Sequence, residues 1–304
     1  GGAAGSITGD VLNNAQLIFN SPGVQTFEGV ISGGGEVRKS GAGTQMLTGA
    51  NTYAGATTVS AGTLLINGDQ STASGLTTVS AGTLGGSGTL GGDVTVAAAA
   101  ALAPGGAAGA PGTLTIKGDL ALADATTSLN YEFGQANLPG GTFNDLIKVG
   151  GDASLGGATI NVASSAPSFG PGLYRVIDYT VTRTDSLTLG AQPAGASFSV
   201  QTSVDKQVNL VNTAGLNLNI WDGDAGGRND TNIAGGAGTW QGASGNDNWT
   251  LADGSVNAAF ADSSFAVFTK TGGVVTVDAA SGGPINVSGM QFAATGYELT
   301  GDQI

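Results

Sequence analysis

The octapeptide Thr-Thr-Val-Ser-Ala-Gly-Thr-Leu occurs twice without change, at Thr57 to Leu64 and again at Thr77 to Leu84, twenty residues on. Identical units at a short fixed period define a solenoid, because one coil cannot bury its apolar face alone and must stack on the next. Between Gly33 and Ile66 the runs Glu36 to Lys39, Gln45 to Thr48, Thr57 to Ser60 and Thr63 to Ile66 alternate with Gly, Ala, Ser and Asn. Those residues turn a chain at little cost, and each run between them is too short for a helix. The expected coil is therefore built of β-strands.

The same rhythm precedes the repeat, at Val11-Leu12, Gln16 to Asn20 and Gln25 to Ile31. After it, a Gly-Asp step followed by a short apolar strand recurs at Gly92-Asp93, Gly118-Asp119 and Gly151-Asp152. Gly takes a left-handed turn there and Asp is expected to bond its own backbone. Alternation makes Val94, Val96, Leu114, Ile116, Ile160 and Val162 the inward-pointing residues. The alanine run Ala97 to Ala101, closed by Ala103-Pro104-Gly105-Gly106, is too short to nucleate a helix and reads as strand or turn. Strands then lengthen, at Ser128 to Phe133, Leu146 to Val149, Leu173 to Tyr179, Ser197 to Gln201 and Gln207 to Val211. Protruding loops are expected near Leu138 and Phe169. After Leu216 to Ile220 comes a polar stretch, Trp221 to Asp230, and all three tryptophans fall between Trp221 and Trp249. Strands resume at Phe265 to Thr269, Val274 to Asp278, Ile285 to Val287 and Tyr297 to Thr300.

A single elongated domain over 1–304 follows, with repeat coils at 1–96, coils with longer loops at 97–220, and the tryptophan loop with further coils at 221–304. At ~22 residues per coil and ~4.8 Å per strand this is ~14 coils and ~65 Å. The chain starts and stops in mid-pattern and reads as a slice of something longer. It opens with no secretory signal, which in a slice says nothing about location.

The 55 glycines carry no three-residue period, which excludes collagen, and 40% hydrophobic against 10% charged residues argues against disorder. A net charge of -13 repels nucleic acid and anionic lipid, and no apolar run spans a bilayer. With neither cysteine nor histidine, the Ser-His-Asp and Cys-His systems, disulfides and the usual zinc sets are all unavailable.

Clustered carboxylates on such a scaffold can hydrolyse polysaccharide; Asp222, Asp224 and Asp230, beside Arg228, are the candidates. The plainer reading is a solvated loop of turn formers. The same acids half match a calcium loop but lack its distal glutamate, so calcium is a weak expectation and no other cofactor is expected. The Gly33-Gly34-Gly35-Glu36 run has no Gly-Lys-Ser/Thr and is no phosphate loop. Trp221, Trp240 and Trp249 are candidate anchors of an exposed binding platform, weighed against a role in the core. The Asn-x-Ser/Thr triplets at Asn229, Asn248 and Asn286 read as turns.

The stretch from Gly41 to Leu64, Gly-Ala-Gly-Thr-Gln-Met-Leu-Thr-Gly-Ala-Asn-Thr-Tyr-Ala-Gly-Ala-Thr-Thr-Val-Ser-Ala-Gly-Thr-Leu, resembles the passenger-associated transport repeat of bacterial autotransporters, with Gln45 and Met46 the mild departures. Gly88 to Val96, Asp145 to Asp152 and Trp221 to Leu299 are similar to segments of such passengers. The resemblance implies a right-handed parallel β-helix carried across a Gram-negative outer membrane by a C-terminal β-barrel of the parent chain, and then retained at the cell surface or secreted. The absence of cysteine agrees with export through an oxidising periplasm. No barrel strands lie in this stretch. The implied role is non-catalytic adhesion, to host cells or matrix proteins such as fibronectin, or between bacteria by self-association. A spacer carrying a distal functional tip is the alternative, and an enzyme on polysaccharide is the third, disfavoured by thinly spread acids.

Overall fold

A computed structural model describes residues 7–106, 110–215, 219–242 and 246–304, and no helix occurs among them. The alternation at Leu216 to Leu218 lies outside the described residues. The chain forms two compact units, Gly1–Phe169 with Arg175–Pro193, and Gly170–Tyr174 with Ala194–Ile304.

The first unit is a parallel β-helix. One face stacks eight parallel strands, from Gln16–Phe19 through Glu36–Lys39, Thr57–Val59, Thr77–Val79, Val94–Val96, Leu120–Leu122 and Ala153–Ser154 to Arg183–Thr184. A second stacks Gln25–Phe27, Thr44–Leu47, Thr63–Ile66, Thr83–Gly86, Ala101–Pro104, Ser128–Phe133, Thr159–Ser164 and Thr188–Leu189. A third runs through Asp69–Gln70, Thr89–Leu90, Thr113–Ile116 and Leu146–Val149. The repeated octapeptide lies on its own copy in register, Thr57 on Thr77, Val59 on Val79, Thr63 on Thr83 and Leu64 on Leu84. Sequence period and coil length are thus the same quantity in this region. Later coils lengthen, and Leu120 pairs with Ala153 across a loop-bearing turn.

Stacking puts like on like inside the coil. Leu64, Leu84, Leu102, Leu129 and Ile160 form one buried column, and Val59, Val79, Val96 and Leu122 another. Each such side chain contributes roughly 1.5–3 kcal/mol of burial. The six inward residues expected from alternation are all buried. The alanine run is a turn, with Ala99 at φ 60, that passes into the strand Ala101–Pro104.

The Gly-Asp steps differ from expectation. The Asp93 carboxylate accepts a hydrogen bond from the backbone N–H of Asp119, Asp119 accepts from Asp152, and Asp152 from Thr182, at 2.8 to 2.9 Å. The aspartate therefore ties its coil to the next rather than closing its own turn. The preceding glycine is required because a Cβ on Gly118 would lie 2.1 Å from the Asp93 carboxylate.

The second unit departs from simple coiling. Phe198–Gln201 and Gln207–Asn212 pair antiparallel, since a connection of so few residues cannot cross over to a parallel partner. Gly238–Trp240, Val274–Val277 and Glu298–Gly301 form a parallel sheet. Ile220–Trp221, Trp249–Thr250, Asn257–Ala258, Phe265–Phe268 and Gly289–Phe292 form a mixed one.

Gly82 sits at φ +81, and a Cβ there would lie 2.4 Å from the Gly62 carbonyl oxygen of the coil beneath. Gly82→Ala is expected to lower stability by about 2 kcal/mol. An unchanged denaturation midpoint would contradict this stacking.

Candidate functional site

The residues between Lys39 and Thr57 have structural work that the geometry makes plain. Asn51 is fully buried, and its side-chain oxygen accepts from the Ile31 N–H of the preceding coil at 2.7 Å. The Tyr53 hydroxyl meets Thr57 Oγ1 at 2.6 Å, also buried. Lys39 takes an inward position between Phe19 and Val59, where its ammonium donates to the carbonyls of Gly41 and Ala61. Burial lowers its pKa. Nothing in the spacing marks Lys39 as a core residue except that it occupies the valine column.

The three tryptophans are all at 0% exposure, so an exposed platform is not what they form. Alternation and ring area drive them into one core with Phe260 and Phe268. Trp240 and Trp249 lie 4.7 Å apart between ring centroids, Trp221 meets Trp249 edge-on at 5.3 Å, and Phe268 packs against all three. The Trp221 indole donates to the Gly236 carbonyl at 2.8 Å.

The loop after Trp221 is held from within. Asp222 is buried, and its carboxylate accepts from the Ala234 N–H and the Asn257 amide. Asp224 accepts from the Asn248 amide at 2.7 Å, and Asp230 from the Asn232 N–H at 2.9 Å. Arg228 donates to the carbonyls of Gly223 and Gly226 and to Asn248. Asn229, at φ 59, exchanges two hydrogen bonds with Asn257. Asn286 donates its backbone N–H and its side-chain amide to the Asp262 carboxylate, twenty-four residues back. These acids thus serve three different sets of partners, and among the described residues no group of three or more acidic side chains is arranged to hold a metal ion. The loop is fastened by these internal bonds.

The titratable group that sequence reasoning missed is Asp145, at 1% exposure in the first unit. One oxygen accepts from the Gly112 N–H at 2.8 Å and the other from the Glu132 N–H at 2.7 Å. Burial pushes its carboxyl up to about 7, the two backbone donors pull against that rise, and the charge of Glu132 adds to it. No motif surrounds it; only its place after the loop near Leu138 could have drawn attention.

The repeat residues thus build a solenoid whose coils recur every twenty residues, tied by Asn51 and closed by Gly62 and Gly82. The Passenger-associated-transport-repeat family matches residues 37–66 and 65–85. The chain thus carries passenger-associated transport repeats over 37–85. It is 51% identical over 308 residues to the adhesin BmaC autotransporter of Brucella suis biovar 1 (strain 1330), a match covering 99% of this chain. The chain spans 9% of the length of that relative.

Two outcomes follow. Trp249→Ala is expected to cost about 3–5 kcal/mol, read as an earlier tryptophan-fluorescence transition of the second unit, and an unshifted transition would contradict the core assignment. The folded Asp145 holds its proton more tightly than an unfolded aspartate, which titrates near about 3.9. Stability present at low pH is therefore lost as pH rises toward about 7, at up to about 1.4 kcal/mol per unit. The chain has no histidine to titrate alongside. Between about pH 5 and about pH 7.5 the midpoint should fall, and Asp145→Asn should flatten that fall. Equal slopes in both proteins would contradict it.

Proposed function

We propose that this chain is an adhesive, non-catalytic region of a surface passenger on a Gram-negative bacterium, anchored at the outer membrane or released. The observation that carries the reading is the 51% identity, along 99% of the chain, to part of a protein named as an adhesin. The partner is a host cell-surface or matrix protein such as fibronectin, or a second bacterium through self-association, and the C-terminal β-barrel of the parent chain is the export partner. Stacked coils present rows of like side chains, as Thr58, Thr78 and Thr95 do on one face, which suits many weak contacts acting together by effective concentration. Of the three acids an enzymatic reading would use, Asp222 is buried and has both oxygens on internal donors, which supports the same view.

A spacer role has one observation in its favour: the loop from Asp222 to Asn232 satisfies its own polar groups and keeps its aromatic neighbours inside. The two readings separate in one assay. Purified chain, labelled and applied to host cells and to immobilised matrix proteins, should bind saturably and above an unrelated β-helix. Binding no greater than that control would overturn adhesion by this region and leave the spacer.

A further inference from the structure

The second face of the first unit carries a hollow that the adhesive reading does not use. Along its outer side, Leu65, Gly85 and Ala103 follow one another in register. Gly85 brings no side chain and Ala103 one methyl, so the sheet surface sinks between Leu65 and the next coils. No side chain fits at Gly85 beside the hollow, because its Cβ would lie 2.2 Å from the Ala103 carbonyl oxygen and 3.1 Å from Leu65 Cδ2. The resulting cavity holds about 560 Å³ and reaches Glu132 and Asp145, within the size range of small-molecule sites.

Its polar lining is repetitive. Thr44, Thr63 and Thr83 stack in register along one rim, half-buried. None of their hydroxyls has a hydrogen bond among the described residues, although neighbouring threonines such as Thr57 and Thr127 do. Asn130 and Asn161 stack on one another in the two coils that follow Ala103. The Asn161 amide donates to Asn130 Oδ1 at 3.0 Å and its oxygen accepts from Ala191, which leaves the Asn130 NH2 to donate elsewhere. The row repeats at the strand spacing of about 4.8 Å, comparable with the rise of one sugar along a glycan chain.

The chemistry of the lining selects the ligand class. Two carboxylates and no lysine or arginine line the cavity, which rejects phosphate, sulfate and anionic glycans. The backbone N–H and C=O groups of this face are committed to the coil-to-coil ladder, so an extended peptide finds no strand edge to pair with here. A lipid chain would strand the threonine hydroxyls and the Asn130 amide without partners. What remains is a molecule with an apolar ring face for Leu65 and Ala103 and many hydroxyls for the rims. We infer that this groove is a binding site for a neutral oligosaccharide.

The assignment stands apart from the adhesive reading: cell binding that survives loss of the groove leaves adhesion intact. The test uses the whole chain and a panel of neutral oligosaccharides of two to six sugars, with heparin fragments and oligolysine as charged probes, read by saturation-transfer NMR and calorimetry. Saturable binding of at least one neutral member is expected. Thr63→Val with Thr83→Val removes two hydroxyls and keeps strand-forming shape, and Ala103→Phe fills the hollow. Each should weaken binding at least about tenfold, with circular dichroism unchanged. No neutral saccharide bound at millimolar concentration would overturn the assignment. So would equal binding by the doubly substituted chain, or binding confined to heparin or oligolysine.

Discussion

Everything in the first unit depends on coil lying on coil in register. A short strand of three or four residues has too little apolar surface to persist alone, but in the stack its backbone groups pair on both sides and its inward side chains meet their own kind above and below. Leu64 on Leu84 and Val59 on Val79 are the simplest cases. The constraint reaches to single atoms. Where one coil must approach the next, as at Gly62, Gly82 and Gly118, there is no room for a Cβ. Where the ladder would leave a buried N–H, a side chain from the neighbouring coil takes it, as Asn51 does for Ile31 and the aspartates do along the Gly-Asp corner.

This explains why the fold was legible and where legibility ended. The strands from Val11 to Val96 and the inward residues Val94 to Val162 follow from an alternation that any single coil displays. What passes between coils does not show in one coil's sequence. The Asp93 carboxylate serves Asp119, twenty-six residues on, and a local reading assigns it to its own turn. The hollow over Gly85 and Ala103 is likewise made by two small residues that are neighbours only after stacking.

The second unit shows the opposite balance. Its tryptophans read as core before they read as anchors, although area and aromaticity serve both. Geometry decides for the core, where Trp249 meets Trp221, Trp240, Phe260 and Phe268 at once. The polar loop beside them resembles a site in composition, yet Arg228, Asn248 and Asn257 absorb its acids and its strained backbone at Asn229. A region can thus be rich in Asp, Arg and Trp and spend them on holding itself together. The threonine row of the first unit is compositionally bland and leaves its hydroxyls unspent.

The in-register stack is tested most directly by cross-linking. The chain lacks cysteine, so Thr58→Cys with Thr78→Cys introduces one unique pair at positions that lie side by side in adjacent coils. A short dithiol-reactive reagent should join the two within one molecule in high yield. A companion pair, Thr58→Cys with Thr95→Cys, lies two coils apart along the same face and should resist it. Equal yields from the two pairs, or none from the first, would contradict a coil of twenty residues and the account built on it.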